Sequence, residues 1–531
     1  MDYRLLDSLS RRTILRVAGA GAVAALASAC KVGDTAGKPA FQSYPFALGV
    51  ASGDPTVDGF VLWTRLAPNP LDEDGGMGDQ IVDVAYEVAE DEGFTRIVRT
   101  GVERAVPGWG HAIHAEVYGL PAGRSYFYRF HAAGVASPVG RAHTAPAYGE
   151  ARDRMTIAWV SCSHYEQGFF HAYQDVVAQT PDLIVHTGDH IYESSWGNQI
   201  RRHVTPEPFT LGDYRRTHAL YRLDPDLQAA AAVAPWVMVW DDHEVDNDYA
   251  GDIAETPEVS VEAFRARRLA AYQAYWENMP LRRKAMLDRA HGEMRIWSQS
   301  TFGALASVYM TDGRQYRSPL ACPTPDDRGG QVIPTTCEDL ADDSRTYLGS
   351  GQEGWLRSQF GRTGARWNII VQPTLFSDFT YPTPDGGSLV WSDGWGGYPA
   401  ARQRLVDLMA SREGANPILL GGDTHCNWVS DIKADYLNPN SATVGSEFVT
   451  TSITSGHGYQ DVMAANVPNF PHIKHFDGRE RGYGLLELFD DRAEVSLRVV
   501  EDVTRRDGNT VRNQAKFVIE AGQPGPVSMS A

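Results

Sequence analysis

The chain has 531 residues, 43% of them hydrophobic and 22% charged, which is an ordinary globular composition in a chain too long for one simple domain. Its formal charge of −19 has the wrong sign for stable binding to nucleic acid or an anionic membrane surface. Phosphate chemistry stays open, because a bound cation reverses the field of an acidic site.

The N-terminus reads as an address. Ser10-Arg11-Arg12-Thr13-Ile14-Leu15 precedes an apolar, small-residue run over 17–26 and then Ala27-Ser28-Ala29. Paired arginines, a short apolar stretch and an A-x-A-like end predict a twin-arginine signal over residues 1–30, removed on export. The run is too short to cross a bilayer, which takes ~20 residues. The expected location is therefore periplasmic or secreted, with the twin-arginine machinery as a partner. Cys30, directly after the small residues, offers an alternative lipid-anchored end.

Residues 44–145 read as an all-β, fibronectin-like sandwich. Short apolar runs such as Gly59-Phe60-Val61-Leu62-Trp63-Thr64 are punctuated by Gly and Pro. Gly119-Leu120-Pro121-Ala122-Gly123, followed by the alternating Tyr126-Phe127-Tyr128-Arg129-Phe130, has the pattern of a sandwich corner and strand. No chemistry is visible there, so a structural or interaction role is expected.

Over residues 151–510 the texture changes to α/β, with apolar strands that run into polar or acidic residues. Four strand ends stand out: Ser161-Cys162-Ser163-His164, Gly188-Asp189-His190-Ile191-Tyr192-Glu193, Asp241-Asp242-His243-Glu244 and Gly422-Asp423-Thr424-His425-Cys426-Asn427. Buried strands that deliver polar groups at their carboxyl ends are how α/β enzymes build a site. The stretch over 261–278 reads as a helix in which Tyr272, Tyr275 and Trp276 pack. The glycine- and tryptophan-rich 391–398 reads as a mobile cover over the site. Cys322 and Cys337 sit in a Pro-, Asp- and Gly-rich loop, and export would let them pair. Residues 511–531 read as a C-terminal tail.

These residue types suit hydrolysis of a phosphate ester. That reaction needs a hydroxide near neutral pH, charge neutralisation on the phosphoryl oxygens and help for the leaving group, and a centre of two or three metals supplies all three. Asp189 is the natural bridging carboxylate. Each residue alone has a bland alternative: Asp189 could cap a turn, Cys162 could be a small buried hydrophobe, His425 a core histidine and Asp242 a solvated carboxylate. Four such strand ends together point to one metal site.

The strings quoted above resemble the blocks of the calcineurin-like metallophosphoesterase superfamily and, more narrowly, the PhoD-like alkaline phosphatases. Gly49-Val50-Ala51-Ser52-Gly53-Asp54-Pro55, Trp63-Thr64-Arg65 and Thr450-Thr451-Ser452-Ile453-Thr454-Ser455 extend that resemblance. It implies a four-layer α/β/β/α metallophosphoesterase domain behind the sandwich. It also implies Fe3+ held with Ca2+. Cys162, Tyr192, Asp189 and His425 would serve the iron, Asp189 would bridge, and Asp242 and Asp423 would face the second metal. Thiolate, phenolate and imidazole suit iron, and further carboxylates suit calcium.

His243 is the candidate to meet the phosphoryl group or protonate the leaving oxygen, with an orienting role as the alternative. Arg314, after the apolar stretch 304–310, is a candidate phosphate clamp or else a structural ion pair. Asn247, Gln372, Asn427 and Lys433 are weaker candidates. The expected enzyme is an exported alkaline phosphatase/phosphodiesterase that hydrolyses phosphate mono- and diesters with a metal-activated hydroxide. Its substrates would be small phosphate esters, with phospholipids or phosphodiester polymers as further candidates. A phospholipase D-like diesterase is the enzyme alternative. A non-catalytic surface-binding protein using the sandwich is the alternative of another class.

Overall fold

Two large mixed sheets lie at the centre of the structure, a computed structural model that describes residues 41–529 apart from 198, 287 and 412–414. The expected signal over 1–30 and Cys30 lie outside the described residues. In the ten-stranded sheet the central strands Met155–Val160, Leu183–His186 and Pro235–Met238 run parallel to one another. All three are buried along their whole length, as parallel strands covered on both faces should be. The seven-stranded sheet is built around the parallel strands Ala306–Met310, Trp367–Val371, Pro417–Gly421 and Thr443–Val449.

Side-chain alternation explains the layering. Ile369, Val371, Ile418 and Leu420 join one core with Ile157, Val185 and Leu486 of the other sheet. Their neighbours Ile370 and Leu419 point the opposite way, into a second core with Leu356, Leu405 and Met409 of the helices Ser350–Gln359 and Pro399–Ala410. The period of two along a strand thus gives each sheet two apolar faces, one against the other sheet and one against helices. This is the α/β/β/α arrangement expected from the sequence.

On the outer side of the ten-stranded sheet, Val261–Asn278 starts at Ser260, whose hydroxyl accepts from the Ala263 N–H at 3.2 Å. Tyr272 and Tyr275 are fully buried, and Tyr272 stacks on Trp240 at 4.2 Å, so these aromatics pack as expected.

The N-terminal β region is built differently from a free-standing sandwich. Val82–Ala89, Ile97–Ala105, Ser125–Ala132 and Gly140–His143 belong to a separate five-stranded sheet. Val50–Thr56, Gly59–Arg65 and Ala112–Val117 instead extend the ten-stranded sheet, with Ser52 and Gly53 pairing in parallel with Pro235 and Trp236. The expected C-terminal tail is also corrected. Val511–Glu520 and Gln523–Ser528 are strands of the same large sheet, where Val511–Glu520 buries Phe517 and Ile519 while pairing with Arg492–Val500.

Candidate metal centre

The four strand ends singled out in the sequence converge. Cys162, Asp189, Asp423 and His425 all adopt left-handed backbone, with φ of 57°, 58°, 63° and 57°. Non-glycine residues reach that region at a cost, and such residues gather where a side chain must be aimed. Two glycines permit the close approach. A Cβ on Gly188 would meet the Asp241 backbone nitrogen at 2.7 Å, and one on Gly422 would meet the Ser161 Oγ at 2.1 Å. Glu244 then ties two turns together: its carboxylate accepts from the backbone N–H groups of Asp189 at 3.1 Å, His190 at 2.6 Å and Asp241 at 2.9 Å.

Three groups of potential ligand atoms result, each with its atoms within 4.8 Å of one another. The first joins Cys162, Asp189 and His425, the second Asp189, Asp242 and His243, and the third Asp242, Asp248 and Asp393. Asp189 links the first to the second, and Asp242 links the second to the third. Tyr192 belongs with the first group, since its hydroxyl lies 3.0 Å from Asp189 Oδ2, 3.0 Å from His425 Nε2 and 2.8 Å from Ser455 Oγ. Asp423 shares a turn with His425. Its carboxylate stands outside these three groups and is half-buried, in the field of Asp241, Asp242 and Asp393.

The charges in this cluster do not balance. Burial, followed by the neighbouring carboxylates, pushes Asp423 and Asp248 well above the usual carboxylate range. Burial also raises Asp189 well above that range, with Asp242 and Asp241 adding to it against the opposing pull of His243. Burial and the Asp189 charge likewise push up the Cys162 thiol and the Tyr192 phenol. Asp242 goes the other way, because Arg314 and His243 outweigh its burial. Asp189 Oδ1 is buried with no hydrogen-bond partner, and Asp242 Oδ1 has only the Arg314 guanidinium, 3.4 Å away. An orphaned carboxylate oxygen among thiol, phenol and imidazole is what a cation site presents before its cation is counted. The donor set therefore fits metal.

His243 faces the second group, and its Nδ1 lies 2.7 Å from Glu193 Oε2. Burial opposes protonation, but Glu193, Asp242 and Asp189 together hold its pKa well above the ordinary histidine value. His425 is the converse. Burial first and then Arg481 push it down to about 3, while its Nδ1 meets the Gly456 carbonyl at 2.7 Å, leaving Nε2 as a neutral ligand atom.

Arg314 is not where a substrate clamp would have to be. Its side chain is 0% exposed, and its guanidinium is paired with Asp241 and, at 2.8 Å on each arm, with both oxygens of Asp393. Arg317 donates to the same Asp393 at 2.5 Å. The structural ion pair is the alternative that the geometry supports, and Arg314 acts by holding carboxylates in place. The mobile cover expected over 391–398 is corrected in the same way. Asp393, Trp395 and Tyr398 are each only 1% exposed, so this segment is an anchored wall.

Gln372 and Asn427 are occupied in holding loops. Gln372 Oε1 accepts from Trp395 Nε1 at 2.9 Å, and Asn427 Oδ1 accepts from the Thr451 N–H at 2.8 Å. Reading the sequence missed Glu193, Asp248 and Asp393. Glu193 closes a string already singled out. Asp248 lies six residues beyond Asp242, whose Oδ2 accepts from its N–H at 2.7 Å. Nothing local marks Asp393.

With that geometry in place, comparison with known proteins is informative. Residues 157–497 match the family described as PhoD-like phosphatase, and residues 31–146 match its N-terminal domain. Alkaline phosphatase D of Bacillus subtilis (strain 168) is 41% identical over 536 aligned positions, covering 98% of this chain and 89% of that protein. A solved structure of PhoD superposes with a TM-score of 0.87 at 40% identity, covering 93% of this chain and 94% of that one.

Proposed function

This chain belongs to the PhoD-like phosphatase family, and from that premise we propose that its linked carboxylate, thiol and imidazole groups form a metal-dependent centre for both phosphate mono- and diesters. It is a phosphoric ester hydrolase, homologous to alkaline phosphatase D. The observation that carries the proposal is the double membership of Asp189 in two ligand groups, with its Oδ1 buried and without a hydrogen-bond partner.

Cys162, Tyr192, Asp189 and His425 would hold ferric iron, a set of thiolate, phenolate, carboxylate and imidazole suited to that ion. Asp242, Asp248 and Asp393 form a hard oxygen group suited to calcium, with Asp423 facing it. Bound there, the ions would supply positive charge against the phosphoryl oxygens and make water acidic enough to act near neutral pH.

The protein's own groups have separable tasks. His243 donates Nδ1–H to Glu193, which leaves Nε2 to carry the proton for the departing oxygen. Glu193, Asp242 and Asp189 favour the protonated ring. Arg314 and Arg317 hold Asp393 and Asp241 against their mutual repulsion.

The paired arginines at residues 11 and 12 support export, and the Cys322–Cys337 disulfide fits an oxidising compartment. Among the described residues no helix is long and apolar enough to cross a membrane. The activity is tested with a chromogenic phosphate monoester and its diester, before and after chelation. Chelator-sensitive release from both is expected. No release from either with iron and calcium supplied would sink the proposal.

A further inference from the structure

Trp196 is an exposed tryptophan that is nevertheless held in place. It is 44% exposed, yet its ring centroid lies 4.6 Å from that of His164, 5.2 Å from Tyr192, 5.8 Å from His243 and 6.2 Å from His425. One side of the indole thus rests on the rings of the metal centre, and the rest faces solvent.

The loop that carries it is clipped down by one buried residue. The Glu166 carboxylate accepts from Ser195 Oγ at 2.6 Å and from the Trp196 N–H at 2.5 Å. The Glu166 carbonyl accepts from the N–H groups of Ile200 at 2.7 Å and Arg201 at 3.1 Å. Arg201 is itself fixed, paired with Asp224 at 2.6 Å and lying 3.8 Å over the Tyr165 ring. Glu166 belongs to the segment that follows Cys162 and His164, so the indole is referenced to the same backbone as a ligand of the centre.

An indole that is 44% exposed beside a polar cluster presents a ready contact surface. Its place fixes what it would touch. An ester whose phosphoryl group is held at Asp189 and Asp242 lies beside the His243 imidazole that completes their group. Its organic group then falls within reach of a ring centred 5.8 Å from His243.

We propose that Trp196 is a specificity-determining residue that packs against the organic leaving group, so that the centre favours phosphate esters whose leaving group offers a flat aromatic face. This rests on the reading of the group of Asp189 and Asp242 as the place where the phosphoryl group is held. The indole contributes binding rather than proton transfer, so its effect should appear mainly in KM.

The test compares kcat/KM for phenyl phosphate and methyl phosphate in the wild-type protein, Trp196→Leu and Trp196→Phe, with metal content measured for each. Taking the ratio between the two esters cancels any general loss of activity. The aryl-to-alkyl ratio should fall roughly 3- to 10-fold in Trp196→Leu, mainly through KM, and be largely restored in Trp196→Phe. An unchanged ratio in Trp196→Leu overturns the inference, whatever happens to the absolute rates. Should that variant not fold, Trp196→Gln gives the same comparison. His243→Ala, run on the same pair, tests the donor reading separately by lowering kcat for both esters. A wild-type protein that hydrolyses neither ester overturns the phosphoesterase reading and this inference with it.

Discussion

Glu193 Oε2 stands 2.7 Å from His243 Nδ1, and both side chains are more than nine-tenths buried. The contact fixes the ring orientation of the imidazole that shares a ligand group with Asp189 and Asp242. If the pair acts as a unit, Glu193→Gln lowers kcat about 10- to 100-fold with metal content unchanged. The double variant with His243→Ala should be no slower than His243→Ala alone. Additive losses in steady-state kinetics would mean that Glu193 acts on something else.

Arg314 should behave as a keystone of charge. Its removal leaves Asp241 and Asp242 buried without their counterion and Asp393 with Arg317 alone. Arg314→Met is therefore expected to destabilise the protein by about 3–5 kcal/mol in denaturant unfolding. A stable variant with a raised KM would restore the clamp role.

The difference between Arg314 and Asp189 shows what could be read from the sequence. Asp189, Asp242 and His425 each end an apolar strand, so their placement at one edge followed from local pattern. Arg314 also ends such a strand, but its partner Asp393 is 79 residues away, and no local signal marks the pairing. The same limit hid the continuity of Val50–Thr56 with the large sheet, because the hydrogen-bond partners of a strand are not written in its own residues. The pairing of Val511–Glu520 with Arg492–Val500 was hidden for the same reason. The aromatic and glycine content of 391–398 suggested mobility, whereas its carboxylate decides its structure.

The disulfide is coupled to that carboxylate. Cys322 and Cys337 are bonded, and the strand Val332–Pro334 between them pairs with Ser388–Trp391, two residues before Asp393. Replacing both cysteines with serine should lower stability by about 2–4 kcal/mol. It should also weaken retention of calcium more than of iron, read by elemental analysis. Equal loss of both metals would break the link to Asp393.

Buried neutral histidines predict acid sensitivity. His114 stacks on Trp276 at 3.8 Å, and burial pushes its pKa down to about 3, as it does for His218. The unfolded chain takes up these protons below pH ~6.5 while the folded protein does not, so stability falls as pH drops from there toward 3. Each such histidine costs about 2 kcal/mol by pH 5 at 1.36 kcal/mol per unit. His114→Gln should flatten the stability curve over that window by about one proton. An unchanged slope of unfolding free energy against pH would remove His114 from the account.

The central claim is that Asp189 is shared between two metal-holding groups and that ester hydrolysis depends on them. The most direct measurement is the iron and calcium content of the purified protein, followed in parallel with phosphate-ester turnover during chelation and resupply. Stoichiometric iron together with calcium is expected, with turnover lost as the metals leave and regained when both return. Full turnover by protein that elemental analysis shows to be free of metal would contradict the account.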